Sequence, residues 1–290
     1  MKKKLRISFS GGRTSAMMTK WMLENLKDEY EMIVCFANTG KEREETLQFV
    51  DKCDKEFAFN VVWLEAIADE KLKMTPSFKI VNFKTASRNG EPFEILISKM
   101  GLVNQNVPKC TEFLKTEVIH KYTKSIGWTK YYTALGIRSD EPQRLHRERA
   151  KKERIIYFAD VLNVTKSDVN FFWSKQSFDL NLKSYEGNCD LCFKKSLRVL
   201  MTVTKENPQL ADWWREMENK YAYKRFDKDS DIKNTFYRDR MSIDDIIEES
   251  KFPFKLAEDK SKGYDTYKQM MMWDNYLDSN GGCTESCEVF

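Results

Sequence analysis

A glycine-rich hexapeptide near the start of the chain is the first feature that could do chemistry. It follows the apolar run 4–9 and reads Ser10-Gly11-Gly12-Arg13-Thr14-Ser15. Glycines let a backbone approach a phosphate closely, and the N–H groups of a helix N-terminus complement negative charge. The segment matches neither the Walker sequence nor G-x-G-x-x-G. Anion binding and a tight turn with a Ser or Thr cap are therefore both open at this point.

Cysteines form the second group of chemically capable residues. Cys189 and Cys192 make a C-x-x-C turn, which directs two thiols toward one point. Zinc, an iron–sulfur cluster and a redox dithiol all use this spacing. The chain has seven Cys and only two His, which leaves little material for histidine-based zinc hydrolysis or a Ser-His-Asp triad. Cys35, in an apolar strand, and Cys53, on the apolar face of a helix, are expected to be buried and inert.

Alternating strands and helices must position these groups. Helical spacing at 14–26 and 42–57 separates three apolar runs that predict strands, at 4–9, 31–37 and 60–66. Such βαβ units give a mostly parallel, Rossmann-like α/β sheet with flanking helices and ligand sites at the carboxyl ends of its strands. Beyond these units, the patterns predict loops with short helices at about 70–108, a helix at 110–126, and strands within 128–138 and 154–158.

The C-terminal part of the chain is expected to be helical. Apolar spacing predicts helices at 194–206, 208–221 and 242–249, and the segment 281–290 is expected to be a mobile tail that carries Cys283 and Cys287. We therefore divide the chain into a nucleotide-binding α/β domain at 1–200 and a helical region with a cysteine-containing tail at 201–290.

Composition excludes several classes of protein. The 290 residues are 41% hydrophobic and contain no window of about 18 apolar residues, which argues against a transmembrane protein. The N-terminal segment lacks the apolar core of a secretory signal, so a cytoplasmic protein is expected. A net charge of +4 does not favour a nucleic-acid partner. Aromatic residues at 171–173, 212–214 and 219–226 could stack on bases, but such residues more often pack in a core.

Further motifs accompany the hexapeptide in a fixed order. They are FANTGKEREETLQFV at 36–50, PKCTEFLK at 108–115, LGIRSDEPQR at 135–144 and GNCDLCFKK at 187–195. Together they resemble the phosphoadenosine phosphosulfate reductase family, a branch of the PP-loop adenine nucleotide alpha-hydrolase-like superfamily. The resemblance covers roughly residues 5–200 and is strongest to phage and bacterial members.

The resemblance implies an adenine-nucleotide site at the strand ends. The hexapeptide Ser10, Gly11, Gly12, Arg13, Thr14 and Ser15 would be the PP-loop, which holds the phosphate- or sulfate-bearing end of the ligand. The turn after the second strand would contribute Asn38, Thr39 and Gly40. Guanidinium groups suit a phosphosulfate oxyanion. Residues expected near this anion are Lys109, Gly136, Arg138 and Arg144.

One position departs from the pattern of the ATP-cleaving members. Thr14 stands where those enzymes carry an Asp that helps to hold Mg²⁺ on ATP, which weakens an ATP pyrophosphatase interpretation. Another acid could replace this Asp and hold a magnesium ion, because four carboxylates lie in the flanking motifs: Glu42, Glu44, Glu45 and Asp140.

The resemblance also implies chemistry at the cysteines. Cys110 would approach the C-x-x-C pair, and with Cys283 or Cys287 as the fourth ligand these thiolates would hold a [4Fe–4S] cluster. Zinc and no metal are the alternatives. In the reductase branch a cysteine on the C-terminal tail attacks the sulfur of the nucleotide, and thioredoxin or glutaredoxin reduces the thiosulfonate. Here Cys283 and Cys287 form C-x-x-x-C in place of the usual tail motif, so an end with two incidental thiols is the alternative.

Three functions follow from these features. The first is a sulfonucleotide reductase-like oxidoreductase that binds an adenylyl sulfate, with or without a 3′-phosphate. The second is an ATP-dependent, iron–sulfur-dependent sulfur transferase that acts on tRNA or DNA. The third is a nucleotide-binding module without turnover. A homodimer is compatible with each of them.

Overall fold

The apolar runs predicted as strands lie at the centre of one sheet. Central parallel strands are covered on both faces, so nearly every residue in them is buried and the sequence is continuously apolar. The computed structural model describes residues 2–68, 75–187, 189–225, 228–229 and 231–261. The six strands run in the order β4-β3-β2-β1-β5-β6, with β4 antiparallel to β3 and the other pairs parallel. They are β1 (Lys3–Ser8), β2 (Tyr30–Asn38), β3 (Val61–Ile67), β4 (Ser77–Val81), β5 (Tyr132–Leu135) and β6 (Ile155–Tyr157). The predicted Rossmann-like α/β sheet is confirmed.

Helices flank this sheet and continue beyond it. They are α1 (Arg13–Asn25), α2 (Glu44–Phe57), α3 (Glu91–Met100), α4 (Glu117–Ser125), α5 (Arg147–Glu153), α6 (Phe158–Val161), α7 (Lys166–Ser174), α8 (Leu197–Glu206), α9 (Ala211–Tyr221) and α10 (Ile243–Glu249). Shorter elements are a π-helical turn at Glu112–Thr116, 3₁₀ turns at Pro142–Arg144, Pro208–Leu210 and Arg238–Arg240, and the hairpin of β7 (Lys224–Arg225) and β8 (Lys228–Asp229). In the described part of the chain, no helix combines the length and the apolar character needed to cross a bilayer.

The strand order opens a crevice between β1 and β5. The chain runs from β1 to β2 and β3 on one side and later returns to β5 on the other side of β1. Connections that leave neighbouring strands in opposite directions create a ligand crevice at their carboxyl ends. The glycine-rich hexapeptide follows β1, and Gly136 and Arg138 follow β5. The fold therefore brings these two motifs to the same edge of the sheet.

Two hydrophobic cores cover the two faces of the sheet. Along β2, Val34 and Phe36 belong to one core, whereas Cys35 and Ala37 belong to the other, as the alternation of side chains in a strand requires. The core that contains Cys35 and Ala37 also contains residues of α8, α9 and α10. Parts of the chain before and after residue 200 therefore pack together. The boundary at residue 200 stays a prediction.

The segment 70–108 differs from its expected loops and short helices. Residues 77–81 form the edge strand β4, and α3 is a regular helix of ten residues. The alternation that signals a strand is weak in β4 because an edge strand is partly solvated, and Ile80 is 62% exposed. The helix α3 begins beside Pro92, which suits the first helical turn, although prolines in this segment had suggested loops.

Other expectations about buried residues are confirmed. Cys35 and Cys53 are both fully buried. Burial raises the pKa of the Cys35 thiol to about 12, which the nearby Arg6 only partly offsets, and burial also raises the pKa of Cys53. Trp173 and Trp214, from two of the aromatic segments, are core residues. The tail 281–290 lies outside the described residues.

Candidate functional site

The glycine-rich hexapeptide forms the turn between β1 and α1. Gly11 lies in the left-handed region at φ +79°, and a Cβ there would stand 2.7 Å from Cγ2 of Thr46. Gly12 is the N-cap of α1. The first N–H groups of a helix have no intrahelical carbonyl partner and form the positive end of the helix dipole. The loop therefore presents backbone donors that suit an anion.

Serine hydroxyls hold this loop in shape. Ser15 Oγ donates to the carbonyl of Gly12 at 3.0 Å, accepts from the backbone N–H of Ser10 at 3.3 Å, and lies 2.9 Å from Ser10 Oγ. Ser15 is buried, whereas Ser10 is half-buried. Ser15 thus acts mainly as a positioning residue, and Ser10 is the serine nearer to solvent.

Arg138 joins the loop after β5 to the loop after β1. Its Nη1 donates to Thr14 Oγ1 at 3.3 Å, and its Nε donates to Asp140 at 2.8 Å. Glu141 accepts from the backbone N–H of Arg138 at 3.2 Å and from Arg144 Nη1 at 2.6 Å. Arg138 is 7% exposed. A guanidinium is thereby held against the PP-loop, and Glu141 connects it to Arg144.

A cavity opens beside the N-terminus of α1. Gly12 and Thr14 line one side of it, and the other sides carry Lys166, Asn170, Lys183 and Ser184. The Lys183 ammonium pairs with Glu206 at 2.8 Å, so the helix N-terminus is the main feature that suits this cavity to an anionic group.

The guanidinium of Arg13 is engaged away from the loop. It donates to both carboxylate oxygens of Asp179 and to the carbonyl of Ser261. The indole N–H of Trp173 donates to the Arg13 carbonyl at 3.0 Å. Arg13 lines the cavity at the PP-loop, and its charge is paired within the protein.

A buried carboxylate shapes the turn after β2. Asn38 Oδ1 accepts from the N–H of Gly40 at 3.1 Å, and Asn38 Nδ2 donates to Glu65 at 2.6 Å. Glu65, fully buried, also accepts from Ser87 N–H at 2.6 Å and Lys79 Nζ at 2.9 Å. Gly40 has φ +77°. Glu65 therefore fixes Asn38, which fixes the turn.

The same turn is bonded to the C-x-x-C segment. Thr39 Oγ1 lies 3.4 Å from Cys189 Sγ and donates to Glu42 at 2.8 Å. The N–H of Asp190 donates to the carbonyl of Lys41 at 3.0 Å, and the Lys41 ammonium pairs with the Asp190 carboxylate at 3.0 Å, both side chains being buried. The turn after β2 and the first cysteine of C-x-x-C thus form one unit.

Three cysteines line one small cavity next to this unit. Cys189 and Cys192 are buried and Cys110 is half-buried. Cys110 lies two residues before the π-helical turn Glu112–Thr116, a feature common at functional sites. The other lining residues are Thr39, Phe93, Thr111, Lys115, Phe193 and Trp214. Within the described residues, no group of three or more His, Cys, Asp or Glu side chains is positioned around a single metal ion.

Burial, more than neighbouring charge, sets the protonation state of the Cys189 thiol. Burial raises the pKa of Cys189, the nearby Glu42 raises it further, and Lys115 lowers it. Burial lowers the pKa of the Lys195 ammonium, whereas the neighbouring Cys192 raises it. Lys195 donates to the carbonyl of Asp190 at 3.0 Å. In the absence of a ligand the Cys189 thiol is therefore protonated at neutral pH, and two ammonium groups nearby would favour its thiolate.

The match to a known family covers most of the α/β part of the chain. A family model described as phosphoadenosine phosphosulfate reductase domain matches residues 4–181. This range contains the PP-loop, the turn after β2 and Arg138. The chain belongs to the phosphoadenosine phosphosulfate reductase domain family. The expected family resemblance is confirmed.

Relatives of this reductase-family protein occur in a phage and in an archaeon. The chain is 29% identical over 288 residues to the uncharacterized nin region protein ORF290 of Escherichia phage lambda, covering 98% of this chain and 94% of that protein. It is 22% identical over 235 residues to the uncharacterized protein MJ0066 of Methanocaldococcus jannaschii, covering 77% of this chain and 43% of that protein. The similarity to the phage protein extends through the C-x-x-C segment and the C-terminal region.

The predicted site residues of this family member are distributed as follows. The PP-loop, Gly136, Arg138 and Arg144 lie at the crevice between β1 and β5, and Asn38–Gly40 lies beside the cysteine cavity. Lys109 is exposed, pairs with Glu112 at 2.6 Å and lies next to Cys110, outside the lining of the PP-loop cavity. Cys283 and Cys287 lie outside the described residues.

The structure adds residues that the sequence pattern did not single out. Glu65 belongs to an apolar run that predicts a strand, and a charged residue within that run was the only feature of the sequence that indicated a functional role. Lys166 and Lys183 reach the PP-loop cavity from distant segments. Lys115 and Lys195 belong to motifs of the reductase family, but only the fold places them beside the thiols.

The four carboxylates considered as substitutes for the missing PP-loop Asp each face a cation. The pairs are Glu42 with Lys115 at 3.8 Å, Glu44 with Arg88 at 2.6 Å, Glu45 with Arg43 at 3.6 Å, and Asp140 with Arg138 at 2.8 Å. Each of these carboxylates thus has a cationic partner inside this reductase-family protein, although the buried Glu42 Oε1 accepts no hydrogen bond from the described residues.

Proposed function

We propose that the chain is a sulfonucleotide reductase-like enzyme that binds an adenylyl sulfate, with or without a 3′-phosphate, at the PP-loop. The observation that carries this proposal is the contact of the buried Arg138 guanidinium with Thr14, at the start of α1 and at the switch point of the sheet. A phosphosulfate offers oxygens to the helix N-terminus and to a fork-shaped guanidinium.

The residues around Thr14 support a sulfonucleotide over magnesium-bound ATP. Thr14 offers a hydroxyl where an Asp would ligate Mg²⁺, and Asp140, one of the flanking acids, is engaged by Arg138. A guanidinium and backbone donors can recognise an anionic ligand without a bridging cation.

In the proposed reaction a thiolate of Cys283 or Cys287 attacks the sulfur of the bound nucleotide. A sulfur–sulfur bond forms, and the bond from sulfur to the bridging oxygen breaks, so that the nucleotide phosphate leaves with the electron pair. A thiolate of thioredoxin or glutaredoxin then attacks the cysteine sulfur and releases sulfite. The external dithiol becomes a disulfide and supplies the two electrons.

The position of the last described residues supports this use of the tail cysteines. Ser261 lines the PP-loop cavity, and its carbonyl accepts from Arg13 Nη1 at 2.7 Å. Asp259 accepts from the N–H of Ser184, another lining residue, at 2.9 Å. The chain that leads to Cys283 and Cys287 therefore departs from the rim of the proposed nucleotide site.

The thiols that line the cysteine cavity support an iron–sulfur cluster as part of this proposal. Cys110, Cys189 and Cys192 supply three thiols in one cavity, and Cys283 or Cys287 would be the fourth ligand. Thiolate-only ligation suits iron–sulfur clusters, with zinc as the alternative. A bound cluster supplies redox-active iron, and the thiolate steps above do not depend on it.

Product analysis tests the proposed function. The reduced full chain is incubated with adenylyl sulfate or its 3′-phosphorylated form, thioredoxin and glutaredoxin, and sulfite and the released nucleotide are measured. We expect equal amounts of both products, and without the dithiol proteins we expect a sulfonate on Cys283 or Cys287 by mass spectrometry. Replacement of the modified cysteine by Ala abolishes sulfite release, whereas Cys53→Ala, at a buried thiol, preserves it. ATP-dependent pyrophosphate release with no sulfite from either sulfonucleotide would contradict the proposal.

A further inference from the structure

A larger cavity lies between the loop 104–106 and the C-terminal region, and its lining does not include the PP-loop. It has a volume of about 440 Å³ and lies between the loop 104–106 and the segment 232–240. Pockets for small ligands measure about 300–1,000 Å³. None of its lining residues also lines the cavity at the PP-loop or the cysteine cavity. Neither the family match, which ends at residue 181, nor the proposed reaction uses it.

The lining of this cavity is basic and rich in amides. One carboxylate, Asp239, belongs to the lining. The cations are Arg225, Lys233, Arg238 and Arg240. The amide side chains are Asn104, Gln105, Asn106 and Asn234. Four cations and one carboxylate thus line the cavity. Outside the lining, Glu218 and Asp245 also lie near Lys233. Guanidinium and ammonium groups bind phosphates, whereas amide side chains can pair with the edges of bases.

Hydrogen bonds connect the walls of the cavity. Asn104 Nδ2 donates to the carbonyl of Thr235 at 3.2 Å, which joins the loop 104–106 to the segment 232–240. Arg225 Nη2 donates to Asn234 Oδ1 at 3.3 Å, and the backbone of Arg225 pairs with that of Gly101. The cavity is thus a built feature and not a gap between independent loops.

Backbone conformation places two charged residues at its rim. Asp239 and Arg240 both lie in the left-handed region, at φ +55° and +61°. Consecutive non-glycine residues in this region are strained and persist only where the surroundings hold them, which is frequent at ligand sites.

The floor of the cavity is bonded to the C-x-x-C segment. Tyr237 donates its hydroxyl to the carbonyl of Leu191 at 3.1 Å, between the two cysteines. Arg238 Nη2 donates to the carbonyl of Lys195 at 2.9 Å. On the opposite wall, Asn106 lies four residues before Cys110. The basic cavity and the cysteine cavity therefore share their supporting segments.

We propose that this basic cavity binds single-stranded nucleic acid. The cations would contact phosphodiester groups, and the amides would contact unpaired bases. Tyr223 and Ile232, 54% and 57% exposed, provide apolar surface near Arg225 for base stacking. Unpaired bases expose their Watson–Crick edges to such amides, whereas a duplex uses those edges in its base pairs. This inference does not depend on the proposed reductase activity.

Fluorescence anisotropy of the full chain tests the proposal. The probes are labelled oligothymidylate and oligouridylate of about 20 nucleotides, longer than the roughly 4–16 nucleotides that such grooves cover. The test variant is Lys233→Gln/Arg240→Asn, because Asn tolerates the left-handed conformation. The control variant, Lys55→Gln/Arg149→Asn, removes the same charge from exposed helical positions.

We expect the wild type to bind at least one probe and the test variant to bind it at least about tenfold more weakly. The slope of log affinity against log salt should fall by about 1.4 for two lost phosphate contacts, while the control keeps the wild-type affinity and slope. Absence of binding by the wild type, an equal loss in the control, or complete displacement of the probe by inorganic phosphate at matched phosphate concentration would overturn the proposal. Binding of adenylyl sulfate, followed by thermal shift, should be the same in both variants, which separates this result from any failure of the PP-loop proposal.

Discussion

At the scale of single residues, surroundings divide the described cysteines into two kinds. Cys35 and Cys53 pack in hydrophobic cores, where burial raises the pKa of both thiols and Arg6 offsets this only in part at Cys35. Cys189 is equally buried, but it lines a cavity, touches Thr39 and lies near Lys115. The type of residue is the same in both cases, and only the neighbours indicate which thiol can serve a ligand or a reaction.

Anaerobic purification tests the use of the cavity thiols. We expect a brown protein that contains iron and sulfide and bleaches in air, because three thiols on one cavity with a fourth from the tail suit a [4Fe–4S] cluster. Cys110→Ala, Cys189→Ala and Cys192→Ala should each lose the iron.

The matched control is Cys35→Ala, which removes a thiol from the core and should retain the colour. A colourless preparation with stoichiometric zinc, or with no metal, would contradict the cluster assignment. Loss of iron in Cys35→Ala alone would contradict the division of the thiols.

At the scale of elements, the sequence predicts what depends on continuous patterns. β1, β2 and β3 are apolar runs, and α1 and α2 have helical spacing, so the strand–loop–helix order and the PP-loop position followed from the sequence. β4 did not, because edge exposure weakens its pattern. The family resemblance predicted Arg138 near the bound anion, but its contact with Thr14 required the fold. The same is true of the hydrogen bond that Asn38 donates to Glu65, because the two residues are far apart in sequence.

The helix α9 carries a carboxylate that organises the segment after it. Glu218 is 5% exposed and accepts from the N–H groups of Phe236, at 3.1 Å, and Ile243, at 2.9 Å. These bonds hold both ends of the turn that carries Tyr237 and Arg238. Burial raises the pKa of Glu218 to about 7, and the two N–H donors only partly oppose this effect.

The raised pKa of Glu218 predicts how the free energy of unfolding changes with pH. The folded protein keeps the Glu218 proton up to about pH 7, whereas the unfolded chain releases it near the ordinary value of 4.5. The free energy of unfolding should therefore fall as pH rises from about 4.5 to about 7, by up to about 1.4 kcal/mol per pH unit from this group.

Urea unfolding at a series of pH values measures this contribution. Glu218→Gln should lose this part of the pH dependence, whereas Glu248→Gln, at an exposed position on α10, should keep the wild-type profile. A Glu218→Gln profile parallel to that of the wild type would show that the carboxylate titrates at its ordinary value in the folded state.

At the scale of the whole molecule, the turn after β2 links two cavities. Strand β1, which pairs with β2, leads into the PP-loop. In the turn after β2, Thr39 contacts Cys189 and the carbonyl of Lys41 accepts from the N–H of Asp190. Gly187 lines the cavity at the PP-loop, and Cys189 lines the cysteine cavity. A single short segment therefore separates the proposed nucleotide site from the thiols of the cysteine cavity.

Calorimetric titration tests the central claim, that the PP-loop recognises the sulfate-bearing end of an adenine nucleotide, most directly. Adenylyl sulfate, its 3′-phosphorylated form, adenosine and ATP with Mg²⁺ are titrated into the wild type, Arg138→Ala and the control Arg149→Ala. We expect a sulfonucleotide to bind most tightly. Arg138→Ala should weaken it by about 1.5–3 kcal/mol, roughly 10- to 150-fold, because a charge-assisted hydrogen bond is lost. Adenosine binding should change little, and the control should match the wild type. Tightest binding of ATP with Mg²⁺, or an equal loss for adenosine and the sulfonucleotide in Arg138→Ala, would contradict the account.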